Sequence, residues 1–452
     1  MHVKSLIKLA AIWLLVANVS PNFAQESAVK NPLAIPANDD GLPGAGPIRR
    51  YDWFTQLWLA KRTQWAGETQ AKQGALVFLG DSITQGWGDT MGNAFGTTLI
   101  ANRGISGDTT RGMLIRLQKD VLALNPSGVV MLMGTNDLEE QAAPTTIADN
   151  LELLIGQLKK HNPKMPIVLC LVFPSSETKQ RPADKIQEIN RQYQAKVKGD
   201  KQVVVVDTWT LFANEQGNAK AEEFPDLLHP NELGYNKWRD AIRPVLEVLD
   251  LVATDREAPI VEPGFESLFN GKDLTGWGLR PTTPEDRKGR ENWQKSDPNA
   301  AAWPLVDQAQ SFAGKKTSDD GRYVASHDRL VVTTPAEGRS IQQLWTEREF
   351  ASDFVLKLEF RATPNADSGI FIRGKQLQCR DYLLAGPYKS LQHYRPQQWN
   401  QIEITVKGNV ARCVCNDEVL EEAFPLPPTG PIGLEGDRGQ IEYRNIRIRV
   451  GN

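Results

Sequence analysis

The apolar residues of this chain change their period once, across a proline-bearing stretch at residues 253–263, and that change limits the folds open to it. Before the stretch, short unbroken apolar runs alternate with segments of helical period. Ala75–Leu79, Leu99–Asn102, Val129–Met133, Ile167–Val172 and Val203–Val206 show no polar alternation, as expected of parallel strands covered on both faces. Between them, Ile147, Leu151, Leu154, Ile155 and Leu158 make one helical stripe, and Ile186, Ile189, Tyr193 and Val197 make another. Trp238, Ile242, Val245 and Leu249 make a third. Such alternation predicts an α/β, doubly wound parallel sheet with right-handed crossovers. Sites in such sheets form beyond the carboxyl ends of the strands.

After the stretch the period is two. Phe354, Leu356, Leu358 and Phe360 alternate with Val355, Lys357, Glu359 and Arg361, and similar alternation recurs at 402–406 and 446–450. With Gly, Pro and Asn-Asp turns between the runs, this predicts an all-β antiparallel sandwich over 264–452. The polar segment Pro281 to Asp320 is expected to be a long loop. A length of 452 residues suits two or three domains. The first would span 51–252, with residues 253–263 as linker and the Pro- and Gly-rich 25–50 as a flexible lead-in.

Residues 1–24 read as a secretory signal: His2 and Lys4 precede an apolar run from Leu6 to Val19, and small residues follow. The run is too short and interrupted for an integral membrane span. The chain is therefore expected to be secreted or periplasmic. A formal net charge of −3 argues against nucleic acid or an anionic membrane as a general partner. The 4 cysteines are too few for a disulfide framework. Cys379 pairing with Cys413 or Cys415, or free thiols, are both open.

Four blocks carry candidate chemistry: Gly80-Asp81-Ser82, Asn102-Arg103-Gly104, Gly134-Thr135-Asn136-Asp137 and Asp226-Leu227-Leu228-His229. Ester hydrolysis by a serine needs a nucleophile, a base oriented by a carboxylate, and oxyanion donors. Ser82 can be the nucleophile, His229 the base and Asp226 its orienter. The N–H groups of Ser82 and Gly104 and the amide of Asn136 can be the donors. Each has a plainer reading: Ser82 as a helix N-cap, Asn136 as a turn residue, Gly104 as a positive-φ glycine, His229 as the end of a loop. Of the 5 histidines, only His229 has a carboxylate three residues earlier in a loop that opens a helix. Asp81 and Asp137 are expected to hold loops through backbone N–H groups. No cofactor or metal is expected, since Gly104-Ile105-Ser106-Gly107-Asp108 is neither a Walker nor a Rossmann signature.

These blocks, in this order, make residues 51–252 resemble the SGNH hydrolases, the GDSL-like lipase and esterase family, whose fold is a flavodoxin-like doubly wound sheet. The resemblance implies a triad of Ser82, Asp226 and His229 and an oxyanion hole of Ser82, Gly104 and Asn136. The later part, through Gly264-Phe265-Glu266-Ser267-Leu268-Phe269-Asn270-Gly271, Asp367-Ser368-Gly369-Ile370-Phe371-Ile372-Arg373 and Gly430-Pro431-Ile432-Gly433-Leu434-Glu435, resembles the 3-keto-disaccharide hydrolase family, a concanavalin-like sandwich. That resemblance implies a carbohydrate ligand. The chain departs from the family at Gln376-Leu377-Gln378 and Asp437-Arg438-Gly439, where a glutamate and a histidine are usual, so binding or support is expected of the sandwich rather than catalysis. Trp277, Trp293, Trp303, Trp345 and Trp399 can stack on sugars or pack in the core. The combined expectation is a serine esterase removing acetyl groups from an acylated carbohydrate, possible polysaccharide included. The alternatives are a lipid or lysophospholipid acylhydrolase, and a carbohydrate-binding or 3-keto-glycoside-cleaving protein.

Overall fold

The computed structural model describes residues 31–88, 90–254, 260, 262–296 and 303–451. The expected signal at 1–24, and most of the proline-bearing linker, lie outside the described residues. The first sheet is parallel: β1 (Leu76–Gly80), β2 (Ile100–Gly104), β3 (Gly128–Leu132), β4 (Ile167–Cys170) and β5 (Val203–Val206), in the spatial order β2-β1-β3-β4-β5. The unbroken apolar runs have two faces to cover. Val77, Leu79, Val129 and Met131 pack under the helices Pro144–His161 and Ala183–Val197. Leu76, Phe78, Val130 and Leu132 pack with Trp238, Ile242 and Val245 of the helix Glu232–Val248. Successive crossovers reverse direction after β2, so the carboxyl ends of β1 and β3 flank the point where such sheets open a crevice.

The antiparallel part forms two sheets. One runs in space from Glu418–Pro425 through Val410–Cys415, Asn400–Lys407, Phe354–Ala362, Ile441–Val450 and Arg329–Val332 to Tyr323–Ser326, and Glu266–Ser267 pairs with its Ile441–Val450 strand. The other runs from Lys375–Gln378 through Gly369–Ile372, Pro431–Gly436, Gln342–Glu349 and Trp277–Leu279 to Gln310–Ser311. Leu356, Leu358, Ile404 and Ile448 face Ile370, Leu434 and Leu344 across one core. The α/β sheet followed by a sandwich is thus the architecture that the change of period implies.

Two expectations are corrected. Part of 281–320 is a helix, Pro284–Ser296, and residues 31–50 are not loose. Asn150 bonds both polar groups of Ala45 (3.1 and 2.8 Å), and Arg111 donates to the Gly46 carbonyl (2.9 Å). Thr109 Oγ1 donates to the Pro47 carbonyl (2.8 Å). The lead-in is therefore strapped across the first domain. The four cysteines are free and buried. No helix among the described residues is long and apolar enough to cross a membrane.

The two parts touch through polar contacts. Glu247, near the end of the helix Glu232–Val248, meets Arg361 (2.6 Å) and Arg329 of the sandwich. Arg361 also holds Glu442 (2.6 Å), and the two carboxylates are 2% and 1% exposed. The Gln440 amide donates to the Pro244 carbonyl (2.9 Å). Trp399 lies beneath the guanidinium groups of Arg444, Arg361 and Arg329, at 4.1, 5.0 and 5.3 Å.

Candidate active site

The segment after β1 turns at once into a short helix, Ser82–Gly86, whose first N–H groups have no partner in the helix. Asp81 caps it by accepting the Ile83 N–H (2.9 Å). Ser82 therefore does not serve as the cap, and its hydroxyl is free for another partner. That partner is His229: Ser82 Oγ lies 3.0 Å from Nε2. Nδ1 of the same ring lies 2.8 Å from Asp226 Oδ2. Three residues suffice because Leu227 takes a positive φ of 63°. This lets Asp226 Oδ1 accept the N–H groups of Leu228 (3.1 Å) and His229 (2.7 Å). One carboxylate thus fixes both the loop and the imidazole. Burial opposes its charge, but the His229 and Leu228 N–H groups and the imidazole outweigh it and hold the carboxyl at about 2. This line of three side chains is open to solvent, with the His229 and Asp226 side chains 43% and 44% exposed.

Asn136 opens the helix Thr135–Glu139 beyond β3, after Gly134 at a φ of 114°. It is buried, and both ends of its amide are engaged. Nδ2 donates to the Asp108 carbonyl (3.0 Å), and Oδ1 accepts from Arg181 Nη2 (3.0 Å). One Nδ2 hydrogen remains for another acceptor. Arg181 also pairs with Glu139 (2.8 Å), which Arg49 holds from its other side. Asp137 accepts the Thr110 N–H (3.0 Å) and hydroxyl (2.6 Å), and burial raises its carboxyl to about 6. Asp81 and Asp137 are thus the loop-holding groups that their positions suggest.

Gly104 requires a correction. It ends β2, and its N–H donates to Asn102 Oδ1 (2.9 Å), so that donor is already used. Its φ is not positive either. The reason for glycine is contact: a Cβ there would lie 2.3 Å from the Gln85 nitrogen and 2.7 Å from the Asp81 carbonyl. The glycine beside Asn136 is Gly107, which immediately precedes the carbonyl that Asn136 touches. Its φ is 86°, and among the described residues its N–H has no acceptor. The sequence signal was there, since Gly107 closes the same Gly-x-x-Gly run. Arg181, Arg49 and Gly107 are the residues that the sequence reading did not single out.

In the sandwich, Trp277 is buried with its Nε1 donating to the Leu268 carbonyl (2.8 Å), and Trp399 is taken by arginines. Trp345 lies on the outer face of its sheet, 5.1 Å from the Phe371 ring across Gly433. Near it, Glu435 accepts from Gln376 (2.6 Å) and Gln343 (2.7 Å). Burial, with Asp437 and Asp367 adding to it, raises this carboxyl to about 7. A carboxyl that can gain or lose a proton near neutrality therefore remains on this face despite Gln376 and Arg438.

Residues 78–237 match the GDSL-like Lipase/Acylhydrolase family, and residues 264–449 match the 3-keto-alpha-glucoside-1,2-lyase-like domain. Among solved structures, the chain is similar to a GDSL-like lipase from Bacteroides thetaiotaomicron VPI-5482, at 29% identity and a TM-score of 0.38, over 42% of this chain and 98% of that one. It is also similar to a lipase/acylhydrolase from Enterococcus faecalis, at 25% identity and a TM-score of 0.34, over 41% of this chain and 100% of that one. Comparison with curated proteins gives no match. The chain carries a GDSL-like lipase/acylhydrolase domain followed by a 3-keto-alpha-glucoside-1,2-lyase-like domain.

Proposed function

We propose that this chain is a secreted or periplasmic serine esterase that removes acetyl groups from carbohydrate. The observation that carries the reading is the continuous line Ser82 Oγ, His229 and Asp226, with links of 3.0 and 2.8 Å. His229 Nε2 takes the Ser82 proton as Oγ attacks the ester carbonyl, and Asp226 stabilises the imidazolium. The Ser82 and Gly107 N–H groups and the second Nδ2 hydrogen of Asn136 supply the oxyanion donors. His229 then returns the proton to the leaving alcohol. Water, deprotonated by the same ring, releases the acyl group from Ser82. Support for a carbohydrate comes from the domain that follows, and support for export comes from residues 1–24.

Glu435 favours a second reading, in which the sandwich also acts on saccharide, because a carboxyl poised near 7 suits general acid–base work. One experiment separates the two. Ser82→Ala in the full chain is assayed on p-nitrophenyl acetate, acetylated xylan, long-chain p-nitrophenyl esters and 3-keto-disaccharides. Acetyl ester turnover should fall by at least roughly a thousandfold. Undiminished acetyl turnover would sink the esterase reading, and preference for long chains would replace acetyl with lipid. Turnover of 3-keto-disaccharides that survives Ser82→Ala would belong to the sandwich.

A further inference from the structure

The helix Asp52–Glu68 buries Phe54, Trp58 and Trp65 against the first domain. It leaves Trp53, at its start, and the preceding Tyr51 each 52% exposed. Their rings are nearly parallel, 14° apart, with centroids 6.4 Å from each other. Two large, nearly parallel rings half in water call for a reason, and their position suggests one. A Cβ built at Gly107 would lie 2.6 Å from Trp53 Cη2, so the indole rests on the loop that supplies the free N–H beside Asn136. Tyr51 OH lies 3.4 Å from both carboxylate oxygens of Glu140, which Arg49 ties to this same side of the site (2.7 Å).

We propose that Tyr51 and Trp53 form a platform on which a pyranose ring stacks, so that an acetyl ester on that ring reaches Ser82. The proposal rests on the esterase reading above and names where its sugar sits. A pyranose has an apolar C–H face, which suits an aromatic surface, and a rim of hydroxyl groups that need partners. Glu139 and Glu140 can accept from that rim, and Lys179, 3.9 Å from Asp226, can donate to it. An alkyl chain would meet the same charged groups and would strand them without water. The exposed triad fits a chain of sugars lying across the surface better than an acyl tail that must be enclosed.

The test uses the full chain and compares Tyr51→Ala, Trp53→Ala and Trp53→Phe with wild type on acetylated xylan and on p-nitrophenyl acetate. The ratio of kcat/KM on xylan to that on p-nitrophenyl acetate should fall about tenfold in each alanine variant, chiefly through KM. Trp53→Phe should recover most of it. Both rings are half in water, so melting temperatures should barely move, and a large drop would assign them a structural role and overturn the platform. A ratio that stays within about twofold of wild type, or a loss that follows acyl-chain length instead of sugar, would also overturn it. If wild type cleaves p-nitrophenyl acetate through Ser82 yet leaves acetylated xylan untouched, the carbohydrate reading itself falls. If wild type deacetylates xylan and the ratio holds, only the platform falls.

Discussion

Asn136 is gripped from both ends. The Asp108 carbonyl takes one of its Nδ2 hydrogens, and the Arg181 guanidinium takes its Oδ1. The arginine does more than aim the amide. A cation bonded to the carbonyl end draws electron density from the nitrogen and strengthens the remaining N–H as a donor. Arg181→Gln should therefore lower kcat by about tenfold to a hundredfold, less than loss of the donor itself, which typically costs roughly 10²–10³. KM should change little, and Arg181→Lys should recover part of the loss. Steady-state kinetics on p-nitrophenyl acetate check this, and equal losses in kcat and stability without rescue by lysine would count against it. The sequence made Ser82, Asp226 and His229 legible because each sits in a short block with few rivals. It could not separate Gly104 from Gly107, three residues apart. Their difference lies in an Asn102 side chain that occupies one N–H and leaves the other. Arg181 was hidden for a plainer reason: it follows a short turn after β4 and shares no block with Asn136.

At the level of elements, close approach explains a glycine that backbone conformation does not. Gly104, at the end of β2, abuts backbone atoms of the Asp81–Gln85 turn, so neither side can yield by rotating a side chain. Gly104→Ala should cost about 1–3 kcal/mol of stability and should also lower activity, because the displaced turn carries Ser82. Gly92, in the helix Thr90–Ala94, has open space around a built Cβ and an ordinary φ. Gly92→Ala is expected to be neutral or stabilising by up to about 1 kcal/mol. Thermal melts of the pair, with activity measured alongside, check the contrast. The five strands of the first sheet were readable to within about two residues, since burial on both faces leaves an unbroken apolar run. The helix Pro284–Ser296 was not, because it buries only Arg290 and has no apolar stripe. Its start was nevertheless written locally. Thr283 Oγ1 accepts the Asp286 N–H (3.1 Å) and bonds the Asp286 carboxylate (2.8 Å), with Pro284 at the first helical position. The strap over 31–50 escaped for the opposite reason. Its composition reads as flexible, and the side chains that hold it, Asn150, Arg111 and Thr109, lie far along the chain.

For the whole molecule, the contact between the two parts centres on buried ion pairs. Burial alone would raise the Glu247 carboxyl, yet the Arg361 and Arg329 guanidinium groups outweigh it and hold it below its ordinary 4.5. A carboxyl lowered in the folded state contributes stability that is fully present above its unfolded value. That stability is lost as pH falls through the folded one. Glu247→Gln should therefore cost about 3–5 kcal/mol at neutral pH, as expected when one member of a buried ionic cluster is removed. The gap to wild type should close as the pH drops below 4.5. Melting curves from pH 7 down to about 3 check this, and a gap that widens in acid would contradict it. Nothing in the sequence marked this contact, because Glu247 and Arg361 each sit in ordinary polar positions of their own elements.

The helix Glu232–Val248 has its two ends in different company. It begins just after the loop that aims His229, and it finishes in the arginine cradle of the sandwich. Its 17 residues span about 26 Å, with Pro244 one turn before the end, where its carbonyl accepts from Gln440 of the sandwich. The sandwich thus holds one end of the element whose other end leads out of the His229 loop. A chain ending before residue 253 would keep Ser82, Asp226 and His229, yet it would leave Glu247 without Arg361 and Arg329.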